Sequence, residues 1–581
     1  MLEKYMSIGG IDADGNATDT CALVGTYQLT QFIEGSKQLE YKLHYPELNI
    51  LQPPYTMIES DDSIPDEFNI SNTDNKTGYA YDKSYAPSGH INIIRSKVFR
   101  CLMKKVADNS VGICQLHNLN SNFFADAADP THATPALLDG SMGDLMVYMP
   151  HYWYKGINDN LNNKHYTCFS SNYERPPIPE ATVILFDAIQ SAGRVRANYK
   201  LVAGSATLDT SFVSDKNYSV CSVDVSGYKK VRFPTVPDGG ASICSVFTDA
   251  TGNVLKTISI DGTRFTEGMY LISEIPEGAE RLSFTIKTIA EFDKVVLSNS
   301  DKIEDMEPDW VEHTHCLIAA LKATIVDSKI RSIITGGAGA NNITQADFLA
   351  YAIARKLQLV DYEMHKDVAN LFYAIYGRRN SQAQCGRGTD STTRVLGVTA
   401  PAGMRDTIVV TAGSTYCWFV ESVNEYGDET TVQLISPNFL GLESWWGNLS
   451  EWTCKVGAPG TPAEDVYKWY IEMPDGSTRK VRSATHQDKF FAAAHHGKYC
   501  DIIAAGTATA SETTRYCDYY YYMGSTNRVV GRSGSRAYTY GGVAFSSAHY
   551  DSGTALTNVG SRLAFRGDIR IINSVEEFKA I

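Results

Sequence analysis

Residues 515–558 hold eight tyrosines, six serines and six glycines, in stretches such as "DYYYYMGSTN" and "SRAYTYGG". Rigid amphipathic rings supply contact area and small polar residues supply adaptable hydrogen bonds, which is the palette of antibody binding loops. The chemistry on offer there is recognition. A second concentration, "LESWWGNLSEW" (442–452), packs three of the seven tryptophans into eight positions. Such rings form either an exposed platform or an interior motif. Asn448 and Glu451 favour the interior, because buried indole and backbone donors need acceptors close by.

Metal and nucleophile chemistry is poorly supplied. "DADGNATD" (12–19) resembles a calcium loop in composition, but glycine falls at its fourth position and Leu23 at its twelfth, where a bidentate Glu is required. A polar turn is the expectation. "HTHC" (313–316) has no second Cys/His cluster at zinc spacing, and "AAAHHGKYCD" reads as a buried or loop pair, His495 and His496, near Cys500. No glycine-rich phosphate loop and no G-x-S-x-G elbow occurs. The twelve cysteines, Cys21 to Cys517, form no C-x-x-C pair and are expected as free, mostly buried thiols.

The elements that must position these residues fall into four stretches. At 581 residues the chain exceeds one ordinary domain. Residues 1–85 read as a loop-rich, irregular β region suited to attachment. Within 86–171, "HINIIRSKVFRCLMKKVAD" places Ile91, Ile94, Val98, Cys101, Leu102 and Val106 at helical spacing, with Lys97, Arg100 and Lys104 off that face. "VGICQL" and the aromatic "GDLMVYMPHYWYKG" each read as a strand. Residues 172–308 alternate apolar and polar positions, as in Cys221, Val223 and Val225 or Leu282, Phe284 and Ile286. "DATGN" there signals a hairpin, and with no helical stretch the segment reads as a β-sandwich of jelly-roll type.

From 309 to 581 helices return. "TQADFLAYAIARKLQL" opens with Thr344 and Asp347 in capping-box spacing and carries a stripe of Phe348, Leu349, Ala352, Ile353 and Leu357. "DYEMHKDVANLFYAIYG" carries Met364, Val368, Phe372, Ile375 and Tyr376, with Gly377 as its C-terminal cap. Short strands and glycine-rich loops are expected beyond 380. The fold class is therefore α+β: one domain begun before the sandwich, interrupted by it and completed after it. The net charge of −14 excludes nucleic acid as a main partner. The start of the chain lacks a secretory signal and no run of 18 apolar residues exists, so neither secretion nor membrane insertion is expected.

Four pieces, in order and covering about 312–581, resemble the formylglycine-generating-enzyme-like branch of the C-type-lectin fold. Gly447, Asn448, Leu449, Glu451 and Trp452 resemble its G-N-V-x-E-W signature. "RVVGRSGSRAY" (528–538) and "GSRLAFRG" (560–567) resemble its closing R-V-x-R-G-G-S-W and G-F-R-L-A-R segments, and the two helices above look like those of the family. The resemblance implies that Trp445, Trp446, Gly447, Asn448, Glu451, Trp452 and Arg562 are scaffold beneath the loops. It implies binding loops at about 515–558, with Tyr519, Tyr521, Arg536, Tyr538, Tyr540, Ser546, Ser547, His549, Tyr550 and Asp551 as ligand contacts.

The branch includes enzymes and binders. Its enzymes need reactive cysteines near the R-G-G-S-W segment, and no cysteine follows Cys517 here. A sulfatase-activating type of oxidase is thereby disfavoured, and no catalytic residue or cofactor is expected. A structural calcium ion would suit the fold, without assignable ligands. The resemblance implies a bacteriophage tail-fibre or tail-tip receptor-binding protein, similar to the variable proteins of diversity-generating retroelements. It would be carried on the virion as a homotrimer, bind a bacterial surface glycan or outer-membrane protein, and dock other tail proteins through its N-terminal region. The alternative is a virion decoration protein without a host ligand.

Overall fold

The computed structural model describes the chain apart from residues 1, 12–16, 33–38, 45–53, 62–69, 73–88, 127–130, 163, 180, 204–209, 235–242, 260–269, 287–293, 336–339, 389–402, 410–416, 425–427, 435, 459–467, 483–486, 505–517, 524–526 and 535–540. The heart of "DADGNATD" lies outside the described residues. Strand accounts for 46% of the structure and helix for 14%, so the chain is β-rich. It divides into two compact units, Met1–Thr56 and Met57–Ile581. The first holds a three-stranded antiparallel sheet of Leu2–Ile11, Ala17–Phe32 and Leu39–His44.

In the second unit a seven-stranded sheet runs in the order Gln358–Leu359, Leu563–Phe565, Cys316–Ala319, Asp144–Met149, Phe99–Ala107, Ser110–Gln115 and Asp568–Ile571. Strands from both sides of segment 172–308 thus share one sheet. Phe99–Ala107 corrects the helical reading of its sequence: the helix stops at Ser96 and the following residues pair with strands on both flanks. The cause is two-sided burial. Leu102 enters one core while Cys101 and Met103 enter another, so the strand lacks the apolar–polar alternation that would reveal it. Arg100, which the helical reading set off the apolar face, is fully buried. "GDLMVYMPHYWYKG" likewise forms two strands, Asp144–Met149 and Tyr152–Asp159, which part at Pro150 into different sheets.

Strands between Thr182 and Ser298 pair only among themselves within the described residues, in a four-stranded and a five-stranded antiparallel sheet. Val231, Phe233, Val295 and Leu297 of the first meet Val223, Phe247, Leu282 and Phe284 of the second in one core. The hairpin at "DATGN" joins Cys244–Thr248 to Val254–Ser259. Among the described residues two short helical pieces, Phe186–Ser191 and the 3-10 turn Ile303–Met306, depart from the all-strand expectation; Phe186 and Ile189 fold the apolar side of the first into that core.

Helix Gln345–Ala354 starts where Thr344 Oγ1 accepts the Asp347 amide, 3.0 Å away. Its Phe348 and Ala352 are buried, but Ile353 is 57% exposed, so the stripe is narrower than its sequence suggests. Helix Tyr362–Tyr376 is capped by Asp361 and closed by Gly377 at φ +62°. It is buried on every side from Tyr362 to Ile375, polar residues included, so each of its charges needs an internal partner. Two further short helices, Ser381–Cys385 and Val575–Ala580, lie beyond 380, where only strands and loops were expected.

Candidate functional site

The tryptophan run lies in the interior of the second unit. Trp445 and Trp446 are completely buried and Trp452 nearly so. Trp446 Nε1 donates to Gly386 O at 2.8 Å and Trp452 Nε1 to Ile343 O at 3.3 Å. Between them the chain turns through left-handed backbone at Gly447 (φ +70°) and Asn448 (φ +61°). A Cβ at Gly447 would stand 2.5 Å from Arg387 O, so the turn excludes any side chain there.

Glu451 is the hub of an ion network. Its Oε1 accepts from Lys322 Nζ and from Arg562 Nε, each at 2.8 Å, with all three side chains out of solvent. Arg562 also donates to the carbonyls of Ala319, Ala320, Glu443 and Ser444, and its guanidinium lies 5.2 Å from the Trp445 ring. Arg100 extends the network, bonding Glu443 Oε1 at 2.9 Å and Gly441 O at 2.8 Å. Burial alone would raise the Glu451 carboxyl; Arg562 and Lys322 outweigh it and hold the group well below the usual carboxylate range. Burial pulls Lys322 down to about 8 despite Glu451.

His365 lies against this hub, 3.4 Å from Glu451 Oε2 and 4.4 Å from the Trp445 ring centroid. Burial lowers its pKa to about 4, with Arg532 and Arg562 adding to the effect against the pull of Glu451. The unfolded imidazole takes up a proton near pH 6.5, whereas the folded one resists until about 4. The stability tied to neutral His365 is therefore complete above pH 6.5 and lost as pH falls from 6.5 to about 4, in total about 3 kcal/mol. His365→Gln should flatten the stability–pH curve in that window, measured by urea unfolding at intervals from pH 4 to 7. An unchanged slope would show that His365 does not titrate there.

Strand Tyr519–Met523 pairs in parallel with Ser546–Ala548, setting Tyr521 opposite Ser547, and Ser546–Ala548 pairs antiparallel with Arg528–Arg532. Residues alternate across this sheet. Tyr520 points inward and stacks on Trp469 at 4.6 Å. Tyr519, Tyr521, Ser547, His549 and Tyr550 are half-buried and Asp551 is exposed. The His549 ring lies 4.9 Å from Tyr521 and 4.3 Å from Tyr550, so the three form one aromatic patch. Tyr550 in turn meets Trp452 edge-on at 6.3 Å, joining patch to scaffold. Burial and then Arg528 lower the His549 pKa.

Ser546 is a correction among the contact candidates. It is completely buried and bonded by Arg532, so it supports the sheet from within. Asp551 accepts from the Gly553 amide and the Thr554 hydroxyl, which makes it a turn former first. Arg536, Tyr538 and Tyr540 lie outside the described residues. The ends of their segment are fixed: Gly447 N donates to Gly534 O at 2.9 Å, and Asp518 accepts the amides of Gly542 and Ala544. Gly534 and Gly541 touch so closely that a Cβ on Gly534 would stand 2.2 Å from Gly541 Cα.

His313 Nδ1 bonds Asp367 Oδ2 at 2.6 Å, which gives the "HTHC" histidine a structural partner. The side chains of His495 and His496 are not among those described. Among the described residues no group of three His, Cys, Asp or Glu is placed to hold a metal ion. Ten cysteines are described; all are free and buried. Burial pushes Cys114, Cys168, Cys316 and Cys417 to about 12, far from the thiolate form that thiol chemistry needs.

Sequence reading did not find Lys322, His365, Glu443 or Arg100. For Lys322 a signal existed, since a lone lysine inside "CLIAALKATIV" must find a partner. The others come together only through tertiary packing. No protein-family model matches the chain, and no curated protein is similar to it in sequence.

Proposed function

We propose that the chain is a non-enzymatic receptor-binding protein of a bacteriophage tail, built on a C-type-lectin-like domain with a jelly-roll insertion. The observation that carries this reading is the half-exposed patch of Tyr521, His549 and Tyr550, mounted edge-on against Trp452. Aromatic anchors held rigid by packing lose little entropy on binding, which is how recognition surfaces gain affinity. The ligand is a glycan or protein of a bacterial surface, and a homotrimer would multiply weak contacts. Residues 1–85 dock the other tail proteins. The retroelement-type segment, 533–558, would vary while the scaffold stays constant.

The test uses the labelled full chain against a panel of intact bacterial strains and an array of their surface glycans. A strain or glycan that binds should lose at least tenfold in affinity with Tyr521→Ala/His549→Ala, a hot-spot pair by size and position. Binding to no strain and no glycan, or binding untouched by the double substitution, would point to the decoration-protein alternative.

A further inference from the structure

We infer that the chain carries a second ligand site, separate from the tyrosine patch, which takes a small acidic sugar. A cleft of about 330 Å³ lies where strands of segment 172–308 meet the strands around Gly156 and Arg479. That volume is at the lower end of small-molecule sites and far beyond the needs of a bare ion. Five cations line it, Arg232, Lys294, Arg479, Lys480 and Lys498, against two carboxylates, Glu307 and Asp501. In a chain of net charge −14 this is a local reversal of sign. Asp309 and Glu363 also pair with these cations but do not line the cleft.

The walls are built in advance. Arg232 Nη1 donates to Glu307 Oε2 at 2.5 Å and Met306 O at 2.8 Å, and its guanidinium lies 4.1 Å from the Tyr270 ring centroid. Arg479 forks onto both oxygens of Asp501 at 2.7 Å and lies 4.4 Å from the Tyr499 centroid. These pairs hold the two guanidiniums and the tyrosine rings beside them in place, so the walls cost little to reorganise when a ligand arrives. Lys498 is different: its nearest carboxylate oxygen, on Asp309, is 3.5 Å away and its side chain is 32% exposed. Its ammonium is the group that an incoming anion would engage. Two tyrosine rings suit the face of a sugar, and Asn160, whose amide donates to Tyr270 O at 2.8 Å, keeps a carbonyl oxygen as acceptor for a hydroxyl.

The acid group could be a carboxylate or a phosphate, so the full chain is titrated with glucuronate and with glucose 6-phosphate, against glucose and inorganic sulfate. Saturable binding of at least one charged sugar is expected, with glucose weaker by about tenfold or more for want of the charge-assisted bond, and sulfate weaker by about tenfold or more for want of the ring and hydroxyl contacts. Whichever sugar binds identifies the acid. Lys498→Gln should weaken binding about tenfold and Lys498→Glu should abolish it, both with unchanged thermal melts. The Tyr521→Ala/His549→Ala protein should bind as the parent does, which separates this site from the patch. Saturation by neither charged sugar, equal binding of glucose or sulfate, or full affinity in a folded Lys498→Glu protein would overturn the proposal.

Discussion

Replacing Glu451 with glutamine is expected to cost about 3–5 kcal/mol of stability, although the side chain keeps its size. The reason is what the change leaves behind. A buried pair broken from one side strands the other charge without compensation. Lys322, already drawn down to about 8, can escape by releasing its proton. Arg562 cannot, because guanidinium keeps its proton in proteins. It stays charged beside Trp445 with only the carbonyls of Ala319, Ala320, Glu443 and Ser444 to face. Arg562→Met in the Glu451→Gln background should therefore cost less than the sum of the two single changes, by an interaction energy on the order of 1–3 kcal/mol. Urea unfolding of the four proteins completes the cycle. Additivity within about 0.5 kcal/mol would mean that the network does not act as a unit.

Trp452→Ala should also destabilise by about 3–5 kcal/mol, through a cavity. The indole packs in the core formed with Phe348, Leu359, Val559 and Leu563, and its backbone pairs in parallel with Ser561. Because Tyr550 leans on that ring, the aromatic patch should loosen with the core. Trp452→Phe, which fills most of the space, should recover most of the stability. A Trp452→Ala protein that melts like the parent but has lost ligand binding would mean that the ring serves recognition directly.

These two residues also measure how far the sequence could be read. Asn448 and Glu451 beside three tryptophans announced an interior motif, and Trp445, Trp446 and Trp452 are buried, but the pairing differs from the reason given: the indoles of Trp446 and Trp452 donate to backbone carbonyls, and Glu451 accepts from Lys322 and Arg562. Capping at Thr344, Asp361 and Gly377 was local chemistry and equally legible for Thr344 and Gly377. Strand Phe99–Ala107 was not, because a strand buried on both faces looks like any apolar run. Nor was Arg100, whose partner Glu443 is 343 residues away. Ser546 shows the same limit in the candidate face. The tyrosine- and serine-rich composition was visible in the sequence, but which member of a Ser-Ser pair turns inward depends on strand register, which a single sequence does not carry.

The pinch between Gly534 and Gly541 has a consequence for how this protein can change. Gly534 and Gly541, seven residues apart in the chain, meet at one point, so the fold on either side is already joined there whatever lies between them. The segment between them can be exchanged, or lengthened at roughly 0.6 kcal/mol per doubling of length, without altering the distance that the rest of the chain must span. Asp518 and the Gly447 amide clamp that point from both sides. A change of length or content between Gly534 and Gly541 is therefore expected to leave the melting of the rest of the fold close to that of the parent.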